Sequence, residues 1–228
     1  QTGIGTDAAF SQAILVGVTN LAFTVLAIMF IDRFGRKALL IFGFSGIAIS
    51  MFLLSYGFSN ATYELTPQAV ETLPGHVDKA KTAGMMDITY YSDIEFKQAV
   101  EDNFGDIESK KVEADLITAS INMNSWLILL SIIGFVASFA ISIGPVMWVL
   151  FSELFPNTIR GVAISFIGFI NSTVSFLVQL VFPWELATIG NAWTFFLYGV
   201  FGALGLIFVL IVLPETKNKS LEELEAIL

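Results

Sequence analysis

The chain has 228 residues, of which 55% are hydrophobic and 14% charged, and its mean hydropathy is +0.77; a soluble domain carries about 25% charge, so water is excluded as its main solvent. It has no Cys, one His (His76) and a net charge of −9, which exclude disulfides, thiolate or imidazole metal sites, cysteine nucleophiles and nucleic acid as a partner. Neither cofactor nor metal is implied, and no enzyme chemistry.

Five apolar runs are each long enough to cross the roughly 30 Å hydrocarbon core, which takes about 20 residues. They lie at about Gln12–Ile31, Ala38–Phe58, Ser125–Phe151, Gly161–Trp184 and Ala192–Leu213. The second holds Gly43, Ser45 and Gly46 for close helix contact, the third is interrupted by Gly144-Pro145, and the fourth carries Asn171, Ser172, Thr173, Ser175 and Gln179. In hydrocarbon the backbone must satisfy its own hydrogen bonds, which favours helices. The short alternating segments of a barrel are missing from the sequence. The fold expected is all-α and integral to the membrane, with spans in 1–58 and 119–213, an insert at 59–118 and a tail at 214–228.

The insert differs in character. From Ser59 to Asp115 it holds twelve of the twenty Asp/Glu and five Lys, with Pro67, Pro74, Gly75, Gly84 and Gly105 as breakers. Its end, Asp93–Ile117, sets Ile94, Phe96, Val100, Phe104, Ile107, Val112 and Leu116 among charges, which suits one or two amphipathic helices. A small folded cap and a solvated loop fit equally well. His76 reads as a solvated residue within it.

Cations fall on alternate connections: Arg33, Arg36 and Lys37 after the first span, Arg160 after the third, Lys217 and Lys219 after the fifth. The positive-inside rule makes these cytoplasmic, with the insert, the N-terminal side and the Glu185–Asn191 link outside. Trp184 and Trp193 flank that link as an aromatic belt. The expected location is the plasma (inner) membrane, with a cytoplasmic C-terminus ending in a short amphipathic helix over Leu221–Leu228. The chain starts at Gln1 and shows no basic n-region followed by a short apolar h-region, so no signal peptide is expected. Its odd number of spans points to an expected further portion upstream.

Three motifs carry the meaning. Asp32-Arg33-Phe34-Gly35-Arg36-Lys37 joins two spans by a tight turn that Gly35 permits. Gly144-Pro145-Val146-Met147-Trp148 runs on through Glu153 to Arg160-Gly161. Pro214-Glu215-Thr216-Lys217 follows the last span. In this order and spacing they resemble the sugar porter family of the major facilitator superfamily. The resemblance covers nearly the whole chain outside the insert. It implies the C-terminal helical bundle of that fold, helices eight to twelve, with helices one to seven absent as the missing N-terminal half.

Depth follows from helix rise. Asn20 is roughly 18 Å from Asp32, Asn171 roughly 16 Å from Arg160 and Trp148 roughly 8 Å from Glu153 at 1.5 Å per residue. Both amides fall near the midplane, where buried polar groups mark substrate paths. An indole offers a flat face to a sugar ring and an N–H to a hydroxyl, and a helix break at Gly144 and Pro145 suits a gate. The resemblance implies that Asn20, Gly144, Trp148 and Asn171 line a cavity for a sugar or polyol. Ser172 replaces an aromatic many members carry, and Ala140 lacks the acid of some.

Asp32, Arg33, Arg36, Glu153, Arg160 and Glu215 form a cytoplasmic charge network, to which the resemblance assigns gating; orientation anchors and helix caps are its simpler reading. The function implied is secondary transport of a monosaccharide or related polyol by alternating access. A sugar sensor on the same scaffold is the alternative. Since these spans hold no mid-membrane acid, proton symport and facilitated diffusion remain equally open.

Overall fold

The computed structural model describes residues 6–217, with side chains from residue 11. The expected tail helix over Leu221–Leu228 and the anchor Lys219 lie outside the described residues. Helices α1 (Thr6–Phe34) and α2 (Arg36–Ser59) lead into a small extramembrane domain. The next span is two helices, α6 (Ser125–Ile141) and α7 (Ile143–Leu154), followed by α8 (Arg160–Thr188) and α9 (Gly190–Ile211). Among the described residues, five helical segments have the length and hydropathy of membrane spans. Large apolar side chains such as Leu21, Phe169 and Phe201 lie exposed along them, as lipid-facing residues do.

The centre of the bundle is α2, which packs along α9 on one side and α6 on the other. Small residues set both seams, because backbones in lipid gain most by close approach. Facing α9, the ring of Phe44 fills the space where Gly205 lacks a Cβ, Ala48 packs on Gly202 and Phe52 on Gly199, an antiparallel ladder. Facing α6, Gly43 receives Ser142 and Gly46 receives Ser138. Ser45 turns inward on its own helix, donating to the Ile41 carbonyl at 2.7 Å.

The third span breaks at Ser142 (φ −127°, ψ −94°), not at Gly144-Pro145. Proline has no N–H to give and its ring crowds the carbonyl four residues back. The helix therefore stops ahead of Pro145 and restarts with that proline in the first turn of α7, where a missing donor costs little. Ser142 is fully buried and donates to the Ser138 carbonyl at 2.5 Å.

The fourth and fifth spans meet more abruptly than the expected Glu185–Asn191 link. Helix α8 continues through Thr188 with Pro183 inside it, and α9 begins at Gly190, whose φ of +80° turns the corner. No residue of α8 is buried. It touches mainly α7 and α9, and a cavity of about 350 Å³ opens between it and the bundle, walled by Phe135, Gln179, Phe182 and Phe195.

Between α2 and α6 the chain is a folded cap, not a solvated loop. An antiparallel sheet in the order β2-β1-β3 joins β1 (Thr62–Glu64) to β2 (Thr89–Tyr90) and β3 (Ile121–Asn122), with Tyr63 opposite Tyr90 and Ile121. The cap thus adds strands to an otherwise helical chain and extends past residue 118. Around the sheet lie α3 (Pro67–Thr72), a 3-10 turn (Lys79–Met85), α4 (Asp93–Phe104) and α5 (Asp106–Ser120). The Thr66 and Ser92 hydroxyls cap α3 and α4, and Gly105 (φ +76°) separates α4 from α5. Phe96, Val100, Val112 and Leu116 are buried with Tyr63, Leu65 and Met85, whereas Ile107 faces out. Tyr63 stacks on Phe96 with ring centroids 5.4 Å apart. His76 bonds Asp115 at 2.9 Å on the surface.

Candidate functional site: an interrupted span and its charged end

Helix α7 has two faces. Val146 and Leu150 are buried with Ile31 of α1, Leu39 and Leu40 of α2 and Val209 of α9. Trp148 points the other way, 46% exposed. Its ring edge lies 3.9 Å from where a Cβ on Gly168 of α8 would sit, and Phe151 meets it edge-on. Asn171 is three residues beyond Gly168, hence on the same helix face. Trp148 and the Asn171 region are thus brought together, with half-buried Gly144 one turn before the indole.

Asn20 is placed apart. It lies exposed on α1, where its Oδ1 accepts from Thr24 Oγ1 at 3.5 Å. Asn171 is exposed too, and no hydrogen bond joins the two amides among the described residues.

The charged end is closely built. Arg36 places Nη2 at 2.6 Å and Nε at 3.0 Å from Glu153 Oε1, while Nη1 reaches Asp32 Oδ1 at 3.3 Å and the Ile31 carbonyl at 3.4 Å. Glu153 Oε2 accepts from Thr216 Oγ1 at 2.8 Å. Glu215 bends back to the start of α2 and accepts from the N–H groups of Arg36 at 3.1 Å and Lys37 at 3.2 Å. It serves as the acceptor that the N-cap Gly35 lacks, and its charge suits the positive end of the helix dipole. Two lysines complete the pattern on carbonyls near helix C-termini, Lys217 Nζ on Arg33 O at 2.6 Å and Lys37 Nζ on Leu210 O at 3.1 Å.

Four of the six expected network residues, Asp32, Arg36, Glu153 and Glu215, meet here. Arg33 contributes its carbonyl. Arg160 stands outside: it opens α8, and its Nε bonds the Phe155 carbonyl of the preceding turn at 3.1 Å. Sequence reasoning missed Thr216, which is 4% exposed; its place in the Pro214–Lys217 motif was the available signal. It also missed the close approach that a bare Gly35 gives to Glu215.

The sequence fits the family described as "Sugar (and other) transporter" over residues 1–71 and 111–228. This chain belongs to that family. Within the sugar porters of the major facilitator superfamily, it is 35% identical to the D-xylose-proton symporter of Escherichia coli (strain K12), covering 99% of this chain and 35% of the symporter. It is 31% identical to the arabinose-proton symporter of Bacillus subtilis (strain 168), covering 98% and 35% respectively. With the facilitated glucose transporter member 10 of Xenopus tropicalis it shares 30% identity over 92% of this chain and 42% of that protein. A crystal structure of a double-Trp mutant of the xylose transporter XylE superposes with a TM-score of 0.64 at 35% identity, covering 98% of this chain and 35% of that one. A XylE structure bound to 6-bromo-6-deoxy-D-glucose gives 0.59 at 34% identity, covering 99% and 36%. The chain thus spans about a third of the length of these symporters. Residues 72–110, which the family match leaves out, lie within the cap, yet the alignment with the D-xylose symporter covers nearly all of this chain.

Proposed function

We propose that this chain is the C-terminal part of a secondary carrier that moves a monosaccharide or related polyol by alternating access. The single observation that carries the mechanism is that α7 is one short rigid helix holding both Trp148 and Glu153, set off from α6 by the break at Ser142. Rotation of α7 about that break moves the indole and the latch carboxylate together. With Glu153 held by Arg36 and Thr216, the charged end is closed and Trp148 lies against α8. When the latch separates, α7 is released and the indole withdraws from the sugar.

In this reading the charged end is cytoplasmic, as the concentration of Arg and Lys there supports, and the cap lies outside. The exposed flanks of α1 and α8, which carry Asn20 and Asn171, face the N-terminal half of the carrier, and a sugar between the halves draws hydrogen bonds from both. The relatives named as proton symporters and as a facilitated transporter supply precedent for either energetic mode.

Uptake of radiolabelled D-xylose into vesicles by the intact protein tests the reading. Saturable uptake is expected, reduced on the order of tenfold or more by Trp148→Ala, which removes about 1–3 kcal/mol of stacking and hydrogen bonding. Specific sugar binding without flux refutes the carrier and favours a sensor on the same scaffold.

A further inference from the structure

The cap is joined covalently to α2 and α6, but its closest polar contacts with the bundle are elsewhere. Helix α4 presents Asp93 and Lys97, one turn apart, to the corner between α8 and α9. Asp93 Oδ2 accepts from the N–H of Asn191, in the first turn of α9, at 3.1 Å. Lys97 Nζ lies 3.5 Å from the carbonyl of Leu186, in the last turn of α8, and 3.7 Å from Asp93 Oδ2. The anion meets a helix N-terminus and the cation a helix C-terminus, the favourable sign at each dipole. Side-chain exposures of 10% for Asp93 and 15% for Lys97 mean that solvent screens these interactions little.

The corner is shaped for this fit. A Cβ on Gly190 would lie 2.7 Å from Asp93 Oδ1 and 3.3 Å from the Ile94 side chain. The Asn191 side chain is 3% exposed, and its Oδ1 finds no hydrogen-bond partner among the described residues. The opposite end of the bundle is built on the same plan: Glu215 caps α2 across Gly35, and lysines sit on the carbonyls of α1 and α9. Helix α8 needs such a support, for it has no buried residue and stands off the bundle across an open cavity.

We propose that the cap is a clamp: Asp93 and Lys97 lock the outer corner of α8 and α9 and are positioning residues for the sugar path, because they hold the helix that carries Asn171. Its consequence for transport rests on the function proposed above; the clamp itself does not.

The test uses the intact protein with the exchange D93K/K97D and the milder K97Q and D93N. The exchange keeps an opposite-charge pair one turn apart on α4 but reverses the sign at both helix ends. Hydrogen exchange is followed over residues 186–196 and over the cap interior, with radiolabelled D-xylose uptake measured on the same preparations. Each misplaced or lost charge is expected to speed exchange at the corner by about 2–5-fold, and the exchange variant by on the order of tenfold or more, with the cap interior still protected. The maximal uptake rate falls in parallel in K97Q, and D93N, which keeps an acceptor for the Asn191 N–H, is affected least. Should D93K/K97D not fold, K97Q and D93N decide by the same readout. Unchanged corner exchange in the variants overturns the clamp. Faster exchange with unchanged uptake overturns the positioning role. If the unaltered protein takes up no sugar while the corner loosens as expected, the sugar reading fails and the clamp stands.

Discussion

Replacing Gly35 by Ala perturbs the charged end at its tightest point. Gly35 has φ +89° and ψ 162°, a region that side chains other than glycine enter at a cost of about 1–3 kcal/mol. The added Cβ would stand 2.7 Å from Glu215 Oε2 and 2.9 Å from its carboxyl carbon. Glu215 is flexible enough to retreat, so the overlap is relieved by surrendering its bonds to the N–H groups of Arg36 and Lys37. Loss of such a helix cap costs about 0.5–2 kcal/mol, and the total is about 3 kcal/mol, on the order of a hundredfold in the closed population. The assay is thermal unfolding of the intact protein in detergent, paired with labelling of a cysteine placed on the charged end. A lower melting temperature and faster labelling are expected. In a double-mutant cycle with Glu215→Gln the two effects should fall short of additivity by about 1 kcal/mol, since each weakens the same cap, a glutamine keeping only one of the two acceptor oxygens. A Gly35→Ala protein within about 0.5 kcal/mol of the parent, or full additivity with Glu215→Gln, refutes the trans-capping.

Arg36→Lys keeps the charge but loses the fork that serves Glu153 through Nε and Nη2 and Asp32 through Nη1. A cost of about 1–2 kcal/mol is expected from denaturant titration, nearly all of it from Glu153, because the Asp32 side chain is 80% exposed and its share is screened; equal loss in Asp32→Asn would contradict this. Burial, aided by the charge of Asp93, raises the Tyr63 hydroxyl above its ordinary value near 10. A group whose folded pKa is raised contributes fully below the unfolded value and loses that contribution as pH climbs toward the folded one. The cap should therefore lose stability above about pH 10, by up to ~1.4 kcal/mol per pH unit. Tyr63→Phe should flatten that alkaline slope in near-ultraviolet circular dichroism, leaving the part owed to Tyr90, which burial also raises.

The candidate site was legible in the sequence to different depths. Asp32, Arg36, Glu153 and Glu215 stand out as charges at the ends of apolar runs, and the structure gathers them. Arg160 carries the same signal, yet its side chain bonds the Phe155 carbonyl of the turn before α8. Asn20 and Asn171 were placed by depth, which fixes height along a helix but not the direction a side chain faces. The helix break was located to within a turn, since a proline marks the turn it disrupts; that it falls at Ser142 reflects both the proline's demand on the preceding residues and the close packing of Gly43 on Ser142.

By itself the sequence determined the five spans and the contrast between the membrane segments and the insert. Hydropathy is a sum over some twenty neighbouring residues, so no fold is needed to read it. Only the tertiary structure decided which ends meet. Arg36 bonds Glu153 across 117 residues and Glu215 across 179, and Asp93 caps α9 from 98 residues away. The insert's composition served loop and cap alike until Tyr63, Phe96 and Leu116 were seen buried together. Such pairings belong to two distant segments at once, and their energy exists only when packing places a carboxylate against one helix end and an ammonium against another.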